Sequence, residues 1–146
     1  MSGDLISPLW RAKEPPSLDG PGWERLLSQA RRARLMARLG VLMADRGWSD
    51  RIPAGPRTHM DNALRQVQRL RDQTLWDLDR IAAALADLPG PVVILKGAAY
   101  VAAGLPPARG RYFTDVDVMV PAAQIRAAER NLFAAGWIAA QLDPYD

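Results

Sequence analysis

An α+β fold is predicted, with an N-terminal helical region followed by a small mixed sheet and flanking helices, and two patterns predict it. Through most of residues 23–90 the apolar side chains step by three or four, the period of an amphipathic helix. Beyond residue 91 the pattern changes to short runs, one wholly apolar and β-branched, one alternating acid with apolar, with short helical stretches between them. The length of 146 residues suits one ordinary domain, or a small domain with a helical extension.

Residues 1–22 carry Pro8, Pro15, Pro16 and Pro21 with Gly3, Gly20 and Gly22, and read as an irregular arm. From about Trp23, Leu26, Leu27, Ala30, Ala37, Val41 and Leu42 line one face, while Arg25, Arg31, Arg32 and Arg38 fill much of the other. This predicts a helix of roughly 24 residues that ends at Gly47 and is interrupted at Gly40. A turn-rich Ile52–Pro56 follows. A longer helix is expected from about Thr58 to Leu88, with Leu64, Val67, Leu75, Leu78, Ile81, Leu85 and Leu88 as its stripe. Each of these helices must bury its stripe against a partner element.

Pro89-Gly-Pro91 ends that pattern. Val92–Leu95 is then expected to be a buried strand, and Ala98, Ala99, Ala102 and Ala103 a short helix ending at Gly104. Residues 105–114 read as a loop, and Asp115–Val120 as a second strand. Pro121 is placed to open a helix with Ile125, Ala128, Leu132 and Ala135 inward, capped by Gly136. Trp137 to Leu142 resembles the start of a third strand. The organisation expected is therefore an arm over 1–22, a helical region over 23–90 and an α/β core over 91–146.

Composition removes several chemistries. Hydrophobic residues at 49% and charged residues at 24% exclude a chain disordered throughout. The absence of cysteine removes disulfides, thiolate metal sites and cysteine nucleophiles, and His59, the single histidine, leaves little room for a histidine-rich metal site or a Ser-His-Asp arrangement. His59 sits at a helix start, where a surface or capping role is expected, and Trp23, Trp76 and Trp137 are expected to anchor the core. The net charge is +3, and all but Lys13 and Lys96 of the 19 basic residues are arginine. The excess lies within residues 1–90, which hold 14 basic and 11 acidic side chains. It is too small and dispersed to predict a nucleic-acid binder; RNA or DNA contact through Arg31, Arg32, Arg34 and Arg38 remains a weaker reading beside that of a solvated helical face. The N-terminus lacks the apolar run of a signal peptide and no stretch suits a membrane span, so a cytoplasmic protein with no membrane partner is expected.

The chemistry is concentrated in Lys96-Gly97 and, 18 residues after the glycine, Asp115-Val116-Asp117. On a strand, Asp115 and Asp117 would face the same way, about 7 Å apart. Adjacent carboxylates repel unless a cation joins them, and an oxygen-only set without His or Cys favours Mg²⁺ or Mn²⁺. A glycine between strand and helix frees backbone N–H groups for phosphate. Together these features describe a site for a nucleoside triphosphate. Taken alone, Asp-x-Asp also fits a solvated edge strand.

The order of strand, Gly turn, short helix, basic loop and Asp-x-Asp strand resembles the DNA polymerase beta type nucleotidyltransferase superfamily. The stretch VVILKGAAYVAAGLPPARGRYFTDVDVMVPAAQIRAAERNLFAAGW is similar to a bacterial branch of that superfamily that reads Leu-Lys-Gly, an Arg-containing loop and Asp-x-Asp, and the W-x-x-L-L-x-x-A-R from Trp23 is similar to its helical leader. The resemblance implies that Gly97 lines the triphosphate and that Asp115 and Asp117 act catalytically as ligands of Mg²⁺ or Mn²⁺. It further implies that a nucleoside monophosphate passes from an NTP to a hydroxyl acceptor of unidentified type, with release of pyrophosphate. Lys96, Arg109 and Arg111 are candidates for phosphate contacts.

Two departures qualify the resemblance. Ala98 stands where the superfamily has Gly or Ser, leaving only its backbone N–H for phosphate. The third carboxylate of active members belongs on a later strand, and Asp143 and Asp146 are poorly spaced for it, so a core cut short is expected. The alternative is a catalytically deficient or split module whose sheet is completed by a copy of itself or a second chain.

Overall fold

The computed structural model describes residues 3–139. Helix α1 (Gly20–Arg32) starts before the expected Trp23, because Asp19 accepts the Gly22 N–H at 2.8 Å and Pro21 lies in the first turn, where its missing N–H costs nothing. The first long helical pattern is in fact two helices. The chain breaks at residues 33–35, and α2 (Met36–Asp45) runs through Gly40 without interruption. Gly40 serves packing: a Cβ there would lie 3.0 Å from Leu64 Cδ1, so its absence lets α2 lie close against α3.

Helix α3 (Ala54–Ala84) spans 31 residues, or about 46 Å at 1.5 Å per residue. It begins earlier than the sequence pattern suggests because Gly55 and Pro56 fall in its first turn, with Pro53 extended before it. Its first half faces α1 and α2. There Trp23, Leu26, Leu39, Met43, Met60 and Val67 are buried in the main core. The N-terminal arm is docked on this core: Ile6 and Leu9 are buried, Gln29 bonds Leu5 N and Gly3 O, and Arg46 donates to the carbonyls of Ala12 and Trp10. Asp4 accepts the Ile6 and Ser7 N–H groups, and bonding at this arm holds its pKa below the usual carboxylate value, a contact with Ser7 contributing most.

The second half of α3 supports the sheet. Strands β1 (Val93–Leu95) and β2 (Asp117–Met119) pair antiparallel, in the register Val93↔Met119, Ile94↔Val118 and Leu95↔Asp117. The expected mixed sheet is thus a two-stranded antiparallel one among the described residues. Helices α4 (Lys96–Ala102) and α5 (Ile125–Ala134) flank it, and a smaller core forms around Ile81, Leu85 and Ala128. Pro121 precedes a 3₁₀ turn, Ala122–Gln124, that leads into α5.

Three further expectations are corrected. β1 is not buried: Val93 is 39% exposed, because only one face of this narrow sheet is well covered. Trp76 is 52% exposed and lies under the Arg80 guanidinium at 4.7 Å, a surface stack rather than a core anchor. Residues 137–139 form no strand, and the rest of the expected third strand, with Asp143 and Asp146, lies outside the described residues. No helix among the described residues is long and apolar enough to cross a membrane.

Candidate functional site

Leu95 is extended, and the next residue, Lys96, has a φ of +51°, so the chain turns sharply from β1 into α4. A left-handed φ is unfavourable for any residue with a Cβ. It aims the Lys96 side chain back across the strand pair, where the register has placed Asp117 opposite Leu95. Lys96 Nζ lies 2.9 Å from Asp117 Oδ1. The hydrogen bond to Asp117, that carboxylate's charge and, more weakly, the charge of Asp115 raise the Lys96 pKa above its ordinary value. The ammonium is thus paired with Asp117, and the Asp115 charge acts on it only weakly.

Asp117 lies in β2, whereas Asp115 sits two residues before it, outside the strand and exposed. With side-chain exposures of 71% for Lys96 and 31% for Asp117, the ion pair is open to solvent and to exchange for another cation. The donor set fits a hydrated divalent ion: two carboxylates, no softer ligand, and an ammonium already standing where positive charge is favoured. Among the described residues no three Asp, Glu or His side chains gather into a metal-holding group.

Gly97 is required by packing. A Cβ at this position would lie 2.1 Å from Phe113 Cδ1, so the buried Phe113 ring rests directly on the glycine backbone. The Arg111 guanidinium lies 5.4 Å from the centroid of the same ring. Ala98 is buried in the first turn of α4. The loop that delivers Phe113 is fastened to α2. Arg109 makes a two-pronged ion pair with Asp45, at 2.7 and 2.9 Å, which holds its pKa up, and Arg38 donates to the Arg109 carbonyl at 2.8 Å. Gly110, at φ +69°, lies so close to α2 that a Cβ would be 2.9 Å from the Ala37 carbonyl oxygen.

The structure thus brings Lys96, Gly97, Asp115 and Asp117 together, and uses Arg109 to anchor the loop. Sequence reading missed Phe113 and Asp45, whose roles depend on partners 16 and 64 residues away; an Arg-Gly-Arg loop ending in an aromatic residue was the available signal. Beside Asp115, a cavity of about 240 Å³ lies between α3 and residues 113–116, reaching Thr74, Asp77 and Trp137. The buried indole Nε1 of Trp137 has no hydrogen-bond partner among the described residues.

Residues 19–146 match the model of a family described as "Uncharacterised nucleotidyltransferase". The match covers well over half the chain, and the protein belongs to this nucleotidyltransferase family. No curated protein and no solved structure matches it.

Proposed function

We propose that the protein is a metal-dependent nucleotidyltransferase that joins a nucleoside monophosphate from an NTP to a hydroxyl acceptor. The observation that carries this reading is the Lys96–Asp117 contact of 2.9 Å, a cation held by one carboxylate at a strand-to-helix turn, with a second, exposed carboxylate, Asp115, two residues before the first. Family membership supports the reaction class.

In this reading Asp115 and Asp117 hold Mg²⁺ or Mn²⁺, which when bound supplies positive charge to the phosphates and to the attacking oxygen. Lys96 is released from Asp117 and neutralises a phosphate oxygen. The N–H groups of the first turn of α4, unpaired within the helix, face the same phosphates, and Phe113 fixes that turn by its contact with Gly97. The acceptor occupies the cavity beside Asp115, where Asp77 and the Trp137 indole supply an acceptor and a donor of hydrogen bonds. Its oxygen forms a bond to the α-phosphorus as the bond to the β-phosphate oxygen breaks. The acceptor proton passes to solvent and pyrophosphate leaves. Arg109 contributes a phosphate contact only if its pair with Asp45 opens.

Mg²⁺ with ATP, GTP, CTP or UTP is expected to raise the Tm, by mass action on the folded state. Asp115→Asn combined with Asp117→Asn is expected to remove that rise while leaving the ligand-free Tm close to the parent's. A parent protein that responds to none of the four nucleotides refutes the proposal.

A further inference from the structure

Four helices among the described residues, α1, α2, α4 and α5, end in the same turn. In each, an N–H just beyond the helix returns to a carbonyl five residues back: Leu35 to Ala30, Trp48 to Met43, Leu105 to Tyr100 and Trp137 to Leu132, at 2.8–3.0 Å. The residue before that N–H must be left-handed, which favours glycine. Three of the turns use Gly47, Gly104 and Gly136, with φ of 65°, 62° and 91°. The fourth uses Arg34, at φ 56°. At this position the side chain is carried against a backbone preference.

The Arg34 side chain borders a cavity of about 410 Å³ between the α1–α2 turn and residues 107–112. Arg38 and Arg111 line the same cavity, as does Tyr112, and no carboxylate does. Arg38 is oriented by its bond to the Arg109 carbonyl, and Arg111 by the Phe113 ring. Among the described residues, none of the three arginines has an acidic partner. Three arginines lining one concavity without a carboxylate set like charges together that an anion would relieve, and planar guanidinium donor pairs match phosphate oxygens.

We propose that this cavity is a second site, separate from the carboxylate pair, that binds a small phosphate-bearing molecule. Its volume lies in the range of small-molecule sites, and its concave shape, with the modest overall charge of +3, favours a small ligand over a nucleic-acid strand. The site needs no divalent cation, so it stands whether or not the nucleotidyl-transfer reading does.

Calorimetric titration of the whole chain with inorganic pyrophosphate, in EDTA and low salt, tests the proposal, with AMP as a parallel probe for phosphate carried on a nucleoside. Saturable binding of either is expected, weakened at least tenfold by Arg34→Gly and by Arg111→Gln and unchanged in the Asp115→Asn, Asp117→Asn double variant. Arg34→Gly places the preferred residue in the turn, so its ligand-free Tm is expected to equal or exceed the parent's even as binding falls. Absence of binding by both probes, full binding by Arg34→Gly, or loss of binding in the carboxylate variant would overturn the proposal. So would binding of a single-stranded oligonucleotide alone.

Discussion

Helix α3 passes through two cores of unequal depth. Its first half meets α1, α2 and the docked arm, where Leu26, Ala30 and Ala37 are fully enclosed. Its second half meets a two-stranded sheet, α4 and α5; the cluster under the sheet and α5 buries Ile81, Leu85 and Ala128, while Met119, Ile125 and Phe133 stay about half exposed. The candidate chemistry lies entirely with the shallow core. Asp117 and Lys96 are held there by a three-residue strand pairing and a sharp turn, and the Phe113 loop reaches back to α2 for its support. The deep core supplies stability, and the shallow one borrows it through α3 and through the loop.

Core substitutions test this contrast most strongly. Leu39→Ala, in the deep core, is expected to cost about 2–5 kcal/mol, while Leu132→Ala, half-buried in the shallow core, costs about 1–2 kcal/mol. Urea unfolding followed by circular dichroism measures both, and equal losses would refute the asymmetry. Gly97→Ala comes next: the added methyl collides with Phe113 and is expected to cost about 1–3 kcal/mol. The companion Phe113→Leu, which gives the methyl room, should restore part of that loss. The smallest effect belongs to the loop anchor. Because the Arg109–Asp45 pair is exposed, Arg109→Gln should change the Tm little, yet hydrogen exchange of the amides in residues 105–112 should quicken. Asp45→Asn should reproduce that change and add nothing to it in the double variant.

Features that depend on neighbours in the chain were legible in the sequence. The stripe from Leu64 to Leu88 gave the long helix, and the switch from helical period to Val-Val-Ile-Leu placed β1 and the turn after it. The Asp-x-Asp run was located, although only Asp117 of the two acids lies in the strand. What escaped was set by distant contacts. Trp76 sits among aliphatics in the sequence, but helical periodicity turns it to the face opposite the buried Thr74, Leu78 and Ile81, and the ring is left at the surface under Arg80. Gly40 had the appearance of a helix breaker, yet it is explained by Leu64 on another helix. By sequence Gly97 reads as a phosphate-lining glycine; its packing role emerges only with Phe113 in place. Arg109 offered no sequence clue to Asp45.

A helix shared in this way also sets an order of assembly during synthesis. Every buried member of the deep core lies at or before Val67, so that core can close while β1 is still being made. The last turns of α3 then wait as a preformed template, presenting Ile81 and Leu85 to strands too short to persist alone. Seating of Gly110 against α2 is the late clasp, joining a nascent second half to a first half that has already folded.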